Sequence, residues 1–249
     1  MHLKAIIFDL GDTLVLTDRW NYDKCLIKLQ ESLRQDNIVV SVPYSDFRRV
    51  YFEVRNQMYV EYEPSLREVD FLQRVARTLK RFNHNARRDD PALARAVDAF
   101  IDAFVADLHM EVYVPKLLSG LKEKYKLGLV SNFAYAPGPW KILNRFKLTE
   151  FFDTIVISGE LGLRKPHPEI FNEALKGLSV KAKEAIFVGD SLKADINGAK
   201  RVGMKTVFVE NIGVRKNPYA IAGELDPFPV EPDERIRALE DLPLALEAL

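Results

Sequence analysis

The stretch AIIFDLGDTL occupies residues 5–14, near the start of the chain. Its first four residues are apolar, which predicts a short strand that is buried on both faces of a sheet. Such strands are typical of parallel sheets, in which helices cover both faces. Asp9 follows this strand directly, and open α/β sheets bind their ligands at the carboxyl ends of the strands. The stretch therefore predicts a fold class and places a candidate reactive carboxylate within it.

Further apolar runs continue the same pattern along the chain. They occupy residues 127–130, 154–157, 185–188 and 206–209. Helix-patterned segments lie between them at residues 140–146, 168–176 and 192–202, and a last element is expected over residues 236–249. Strands that alternate with helices predict an α/β fold with a Rossmann-like parallel sheet at its core.

A long insertion separates the first predicted strand from the second. It spans about 100 residues without a strand-like run, whereas a typical connecting loop has about two to six. Apolar residues recur within it at helical spacing, for example at Phe47, Val50, Tyr51 and Val54, which predicts a small helical bundle. We therefore expect a Rossmann-like catalytic core of residues 1–15 and 113–249, and an inserted α-helical cap of residues 16–112.

The composition excludes several classes of protein. Lysine plus arginine and aspartate plus glutamate each total 36, so no overall charge attracts nucleic acid or a membrane surface. The single cysteine, Cys25, excludes an intrachain disulfide and a cysteine-based zinc site. No segment approaches the roughly 20 apolar residues of a membrane span. We expect a cytoplasmic monomer or homodimer with no nucleic-acid or membrane partner.

Polar residues follow the later predicted strands as well as the first. They are Ser131 and Asn132 after the second strand, Lys165 after the third, and Asp190 and Asp195 after the fourth. Each has an ordinary structural interpretation by itself, as a turn residue, a helix cap or a solvated lysine. Together they are expected to meet at one edge of one sheet, because the carboxyl ends of parallel strands lie on the same side.

Three carboxylates at one edge predict a bound cation. Without one, the carboxylates would repel each other and lose their ionisation. Oxygen ligands with no histidine or cysteine beside them favour Mg²⁺, which is commonly shared with a substrate phosphate. The sequence therefore predicts a magnesium site and a small phosphorylated substrate.

Four motifs occur in a fixed order: FDLGDTL at 8–14, LVSN at 129–132, GLRKPHPEIF at 162–171 and VGDSLKADINGA at 188–199. In this order they resemble the haloacid dehalogenase-like hydrolase superfamily, specifically its members with a helical cap inserted after the first motif. The resemblance extends from residue 4 to about residue 210, apart from the cap. One motif by itself is weak, but the ordered set is highly specific.

The resemblance implies catalytic roles for particular residues. It implies that Asp9 is the nucleophile, which attacks phosphorus and forms an aspartyl-phosphate. Ser131 and the backbone N–H of Asn132 resemble the family's phosphate grip. Lys165 resembles the cation that holds the nucleophile and the phosphoryl oxygens together.

The resemblance also implies a ligand set for Mg²⁺. The implied ligands are Asp9, the carbonyl oxygen of Gly11 and Asp190, with Asp195 acting directly or through water. Thr13 resembles the residue that fixes the loop of the first motif beside the substrate. The implied activity is that of a magnesium-dependent phosphatase acting on a small phosphorylated metabolite.

Gly11 departs from the pattern of phosphatases in this superfamily. They carry at this position a second aspartate, which protonates the leaving group and then activates water. General acid–base catalysis typically contributes about 10²- to 10⁴-fold. Asp12 is adjacent, but consecutive side chains of an extended segment point in different directions. Three outcomes follow from the missing acid. They are slow hydrolysis, use of a substrate with a good leaving group, and transfer of the phosphoryl group to an acceptor other than water.

Two other functions compete with the phosphatase. A 2-haloacid dehalogenase of the same superfamily attacks carbon with the same aspartate and also lacks the second one, which agrees with Gly11. Asp190 and Asp195 argue against it, because without a metal they would repel a carboxylate substrate. A catalytically weakened relative that binds a phosphorylated ligand is the second alternative.

The predicted cap also carries a basic cluster. Its members are Arg74, Arg77, Lys80, Arg81, Arg87 and Arg88. We interpret the cluster as a solvated helix face rather than a nucleic-acid or substrate site.

Overall fold

The computed structural model describes residues 3–211 and 229–249. The chain divides into two compact units, one of Met1–Asp18 with His109–Leu249 and one of Arg19–Leu108. We call the first the core unit and the second the helical unit. The helical unit begins three residues after the predicted start of the cap, at 19 rather than 16. It ends four residues before the predicted end, at 108 rather than 112.

A six-stranded sheet forms the centre of the core unit. Its strands are β1 (Ala5–Phe8), β2 (Lys126–Ser131), β3 (Thr154–Ile157), β4 (Ala185–Gly189), β5 (Lys205–Val209) and β6 (Glu234–Ile236). They are ordered β3-β2-β1-β4-β5-β6, and every pair is parallel. The predicted α/β class is therefore confirmed. Phe8 pairs with Leu129 on one side and with Val188 on the other, so the ends of β1, β2 and β4 lie side by side.

Helices account for most of the remaining described residues. They are α1 (Tyr22–Gln35), α2 (Tyr44–Tyr62), α3 (Phe71–Lys80), α4 (Pro91–Asp107), α5 (Val114–Lys122), α6 (Pro137–Phe146), α7 (Ser158–Leu161), α8 (Pro168–Leu178), α9 (Asn197–Arg201) and α10 (Leu242–Ala248). Among the described residues, none of these helices has both the length and the apolar character that a membrane crossing requires.

Helix α8 shows how the sequence builds the core unit. Pro168 occupies its first turn, where the missing N–H costs no helical hydrogen bond, and the side chain of His167 accepts a hydrogen bond from the backbone N–H of Glu169. Its apolar face is buried against the sheet, and the rings of Phe171 and Phe187 meet edge to face with centroids 5.2 Å apart. This packing fixes the position of α8, which begins at Pro168 directly after the loop that carries Lys165.

The predicted helix over 192–202 is divided in the structure. Residues Leu192–Ile196 form a π-helical turn, and α9 begins at Asn197. A π turn carries more residues per turn than an α-helix and is frequent at functional sites. Asp195 lies in this turn and is 1% exposed.

In the helical unit, short polar residues cap the helices. Asn21 accepts from the N–H of Lys24 at the start of α1, and Asp70 accepts from the N–H of Gln73 at the start of α3. Helix α4 begins with Pro91 after the capping residue Asp90.

The interpretation of the basic cluster as a solvated face is wrong for one residue. Arg74 is 4% exposed, because it lies on the same face of α3 as the buried residues Phe71 and Val75. Arg77 and Arg88, by contrast, form ion pairs with Glu61 and Asp70 at partly exposed positions.

Candidate active site

Lys165 contacts groups from three strand ends, two carboxylates and one backbone carbonyl. Its Nζ lies 2.5 Å from Oδ1 of Asp9 and 2.7 Å from Oδ1 of Asp195, and it donates to the carbonyl oxygen of Val130 at 3.0 Å. Lys165 is 2% exposed and Asp9 is 7% exposed, so both ion pairs are shielded from water. Three residues that the sequence predicted to meet are thus in direct contact.

Asn132 positions Lys165 through its side chain. Its Oδ1 accepts from the backbone N–H of Lys165 at 2.7 Å, and its Nδ2 donates to the carbonyl oxygen of the same residue at 3.1 Å. These two hydrogen bonds connect the loop after β2 to the loop before α8. The sequence predicted a role for the backbone of Asn132 and gave no signal for this role of its side chain.

Asp9, Asp190 and Asp195 form an acidic cluster. Each offers a carboxylate oxygen, and the three oxygens lie within 4.8 Å of one another. Three carboxylates and one ammonium, that of Lys165, leave a formal charge of minus two in this cluster. Such a cluster matches a divalent cation in both charge and donor type.

Burial and neighbouring charges shift the pKa values of the groups in this cluster. Burial raises the pKa of Asp9 to about 6, against the opposing effect of Lys165 and with a further contribution from Asp195. Burial also raises the pKa of Asp190 well above its ordinary value, and repulsion from Asp9 and Asp195 adds to it. Burial opposes the charge of Lys165, but Asp195 and Asp9 outweigh it, so the pKa of the ammonium is raised.

Gly189 and Ser191 place the carboxylate of Asp195. The backbone N–H of Ser191 donates to Oδ2 of Asp195 at 3.0 Å, and the N–H of Asp195 donates to the carbonyl oxygen of Ser191 at 2.9 Å. A Cβ atom on Gly189 would collide with the carboxylate of Asp195. Glycine at the end of β4 therefore leaves the room that this carboxylate occupies.

The loop of the first motif is fixed by Asp12. Asp12 has a positive φ of 55°, and its Oδ1 accepts from the backbone N–H of Thr17 at 2.8 Å and from the hydroxyl of Thr17 at 2.9 Å. The side chain of Asn211 donates to the carbonyl oxygen of Asp12. Burial raises the pKa of the Asp12 carboxyl. The carboxylate of Asp12 is thus engaged in holding the turn.

Gly11 and Thr13 flank Asp12 in this loop. A Cβ atom on Gly11 would have no atom within 4 Å, so the structure leaves open space where the second aspartate of the motif would stand. The hydroxyl of Thr13 is buried and has no hydrogen-bond partner among the described residues. A buried hydroxyl without a partner is costly, which is consistent with a ligand contact at this position.

Ser131 lies at the end of β2 and is 3% exposed. The loop that follows it is held by Ser158, whose hydroxyl accepts from the backbone N–H of Phe133 at 2.7 Å. Gly159 allows this approach, since a Cβ atom there would lie 2.7 Å from the carbonyl oxygen of Phe133. Sequence reasoning missed Ser158, although the pair of small residues directly after β3 was a signal for a close contact between loops.

Known proteins resemble this chain over most of its length. A family model described as haloacid dehalogenase-like hydrolase matches residues 6–209. A glyceraldehyde 3-phosphate phosphatase of Pyrococcus abyssi is 34% identical, over 83% of this chain and 81% of the relative. A protein of the same name from Methanopyrus kandleri is 31% identical, over 82% of this chain and 83% of the relative.

Solved structures share the fold at lower identity. A 2-haloacid dehalogenase from Pseudomonas syringae is 23% identical with a TM-score of 0.67, and the match covers 99% of each chain. A phosphatase of the haloacid dehalogenase class from Thermococcus onnurineus is 22% identical with a TM-score of 0.65, and the match covers 98% of each chain. Because a dehalogenase and a phosphatase both match, the fold by itself does not decide between these two activities.

Proposed function

Because the chain belongs to the haloacid dehalogenase-like hydrolase family, we propose that it is a phosphatase in which Asp9 attacks the phosphorus of a small phosphorylated metabolite. The family membership predicted from the four motifs is thereby confirmed. The observation that carries the proposal is the buried ion pair of Asp9 and Lys165, with two further carboxylates beside it. This arrangement provides a nucleophile, a cation for phosphoryl oxygens and a site for a divalent metal.

The relatives point to a substrate class. Two relatives that match more than four-fifths of this chain are named glyceraldehyde 3-phosphate phosphatases. We therefore propose a phosphorylated three-carbon sugar, and glyceraldehyde 3-phosphate first, as the substrate to be tested.

In the first step, Lys165 keeps the carboxylate of Asp9 ionised and orients it. An oxygen of Asp9 forms a bond to phosphorus, and the bond between phosphorus and the ester oxygen breaks. The hydroxyl of Ser131 and the backbone N–H of Asn132 bind the phosphoryl oxygens, as donors aimed at the developing charge. The departing alkoxide takes its proton from water, because residue 11 carries no acid.

The acidic cluster fits a magnesium ion. Asp9, the carbonyl oxygen of Gly11 and Asp190 would hold it, and Asp195, which is paired with Lys165, would support it from the side. When bound, the ion would neutralise charge on the phosphoryl oxygens and lower the repulsion between the phosphate and the carboxylates. The formal charge of minus two within the cluster favours a divalent cation over a monovalent one.

The second step removes the phosphoryl group from Asp9. A water oxygen bonds to phosphorus, the bond from phosphorus to the Asp9 oxygen breaks, and inorganic phosphate leaves. With glycine at position 11, no side chain of that residue accepts the proton of this water, and Asp12 is engaged by Thr17. We therefore propose that dephosphorylation is the slow step.

A 2-haloacid dehalogenase is the second candidate, and Gly11 is the observation that favours it. A haloacid carries a carboxylate, which the charge of Asp190 and Asp195 would repel. Two relatives that match most of this chain are named as phosphatases. A catalytically weakened relative that binds a phosphorylated ligand is a third candidate, and Gly11 also supports it.

Hydrolysis of glyceraldehyde 3-phosphate and of an aryl phosphate, with and without Mg²⁺, tests the proposal. We expect phosphate release that needs the metal in the wild type and is abolished in Asp9→Asn. Chloride release from a 2-haloacid without metal, together with no phosphate release, would establish the dehalogenase instead. Binding of the phosphate ester without turnover would support the weakened binder.

A further inference from the structure

A side chain that follows β5 reaches the loop of the first motif. Asn211 lies two residues after the end of β5, and its side-chain amide donates to the carbonyl oxygen of Asp12, which is 199 residues away in the chain. The four sequence motifs follow β1, β2, β3 and β4, so Asn211 lies outside all of them. The contact joins the ends of two strands that are not neighbours, because β4 lies between β1 and β5.

The loop of residues 10–15 is closed by backbone hydrogen bonds of its own. The N–H groups of Leu14 and Val15 both donate to the carbonyl oxygen of Leu10 at 3.0 Å, and the N–H of Asp12 donates to the carbonyl oxygen of Val15 at 2.8 Å. These three bonds stabilise the turn internally. The bond from Asn211 instead ties the middle of the turn to the chain that follows β5.

Asp12 has a backbone conformation that needs support from its surroundings. Its φ of 55° lies in the left-handed region, which is unfavourable for residues other than glycine. The N–H of Asp12 fixes the peptide group between Gly11 and Asp12, and the bond from Asn211 fixes the peptide group between Asp12 and Thr13. The directions of the Gly11 carbonyl oxygen and of the buried Thr13 hydroxyl therefore depend on these two bonds.

The chain at Asn211 is itself anchored to the sheet. The backbone N–H of Glu210 donates to the carbonyl oxygen of Ile236 on β6 at 2.9 Å. Asn211 has a φ of 50°, a conformation that asparagine adopts more readily than most residues. Backbone conformation alone would thus explain an asparagine here, but glycine would meet that need equally well. Glycine would not provide the amide that contacts Asp12.

We propose that Asn211 is a positioning residue for phosphoryl transfer, which acts by holding the Asp12–Thr13 peptide group. Without its amide, the loop would sample other conformations, and the Gly11 carbonyl oxygen and the Thr13 hydroxyl would leave the geometry that the reaction needs. This inference rests on the proposed function, because these two groups matter to catalysis only if the loop binds the metal and the phosphate ester.

Two variants separate the amide from the backbone conformation. Asn211→Gly removes the side chain and keeps the left-handed conformation accessible. Asn211→Asp keeps the size of the side chain and replaces the N–H donor by an oxygen. Asn37→Gly is the matched control, because Asn37 has a φ of 59° and lies in the helical unit.

Hydrogen exchange of the full chain in a chelator gives a readout that is independent of activity. We expect the N–H groups of Asp12, Leu14 and Val15 to exchange about five-fold faster in Asn211→Gly and in Asn211→Asp, as for the loss of one ordinary hydrogen bond. Asn37→Gly should leave these rates unchanged. NMR, or mass spectrometry of the peptide that contains residues 10–15, measures them.

Steady-state phosphate release with Mg²⁺ tests the effect on the reaction. We expect kcat to fall by about 10-fold in both Asn211 variants, because small displacements of positioned groups are costly to catalysis. The Tm should stay within about 2 °C of the wild type, which separates a positioning effect from general destabilisation. Asn37→Gly should keep the wild-type kcat.

Faster exchange in the loop together with a lower kcat in both Asn211 variants supports the proposal. Wild-type exchange or wild-type kcat in Asn211→Gly would overturn it, because only the backbone conformation would then matter. A wild type that releases phosphate from no ester would refute the proposed function instead. The exchange rates would still decide whether Asn211 holds the loop.

Discussion

At the scale of single residues, the chemistry depends on how one ammonium group is shared. Lys165 contacts both Asp9 and Asp195, whereas Asp190 forms no ion pair with it among the described residues. A cation bound between Asp9 and Asp190 would therefore neutralise the carboxylate charge that Lys165 leaves uncompensated. The family resemblance implied that Lys165 holds Asp9, but nothing in the sequence indicated that the same lysine also contacts Asp195 and not Asp190.

Gly11→Asp tests the missing acid directly. The open space around the Cβ position of residue 11 accommodates the new side chain without a collision. We expect kcat for a phosphate ester with a poor leaving group to rise by about 10- to 100-fold, which is part of the usual contribution of general acid–base catalysis. Steady-state phosphate release measures it.

Gly11→Ala is the control for this variant, because it fills the same space without adding an acid. An equal rate increase in Gly11→Ala would show that backbone stiffening, and not acid–base catalysis, causes the gain. No increase in Gly11→Asp would contradict the proposed reason for slow turnover.

At the scale of secondary-structure elements, the end of β4 and the π turn after it together position the carboxylate of Asp195. Gly189 leaves room for the Asp195 carboxylate, and the backbone of Ser191 holds it. The ion pairs of Lys165 with Asp195 and with Asp9 then hold the loop before α8 against the turn after β4 and the end of β1. The site thus depends on the exact backbone path from residue 189 to residue 195.

Gly189→Ala should disturb this path. The added methyl group overlaps the Asp195 carboxylate, so Lys165 loses its buried partner in its present position. We expect kcat to fall at least about 10-fold and the free energy of unfolding to fall by about 1–3 kcal/mol, as for other overpacked sites. Gly120→Ala is the matched control, because a Cβ atom there meets no atom within 4 Å, and it should leave both quantities unchanged or slightly improved. Full activity of Gly189→Ala would contradict the role given to the turn.

The sequence predicted the central elements well, because their signal is local. The apolar run of residues 5–8 coincides with β1, and that of residues 154–157 coincides with β3. Strand β6 was missed, since only Ile236 of its three residues is buried and it lies at the edge of the sheet. The π turn was read as part of a regular helix, because its apolar periodicity hardly differs from that of an α-helix over five residues.

Two contacts between distant loops were not predicted from the sequence. The hydroxyl of Ser158 accepts a hydrogen bond from the backbone N–H of Phe133, which is 25 residues away in the chain. The side chain of Asn132 accepts one from the backbone N–H of Lys165, which is 33 residues away. Arg74 was misplaced for a related reason. A charged residue is ordinarily assigned to the solvated face, whereas the guanidinium of Arg74 lies against the rings of Phe71 on α3 and Tyr59 on α2.

At the scale of the whole molecule, stability should depend on pH and on magnesium together. The folded-state pKa of Asp9 is about 6 and the ordinary value is 3.8, so the folded chain binds more protons between these two values. The free energy of unfolding contributed by this group therefore falls as the pH rises through that window in the metal-free protein. A metal that binds the ionised carboxylate should reverse this loss.

We therefore expect Mg²⁺ to raise the Tm more at pH 7.5 than at pH 5, as measured by thermal unfolding with Mg²⁺ and with a chelator. Asp190→Asn should reduce the increase at both pH values. An increase that is the same at both pH values would argue against magnesium binding by ionised carboxylates of this cluster.

The most direct test of the proposed function is mass spectrometry of the chain after acid quenching during turnover of glyceraldehyde 3-phosphate with Mg²⁺. Because dephosphorylation should be slow with glycine at position 11, we expect a phosphoryl group on the peptide that contains Asp9. It should be absent in Asp9→Asn and depleted in Gly11→Asp. Steady release of phosphate with no phosphoryl group on Asp9 at any time point would contradict Asp9 as the nucleophile.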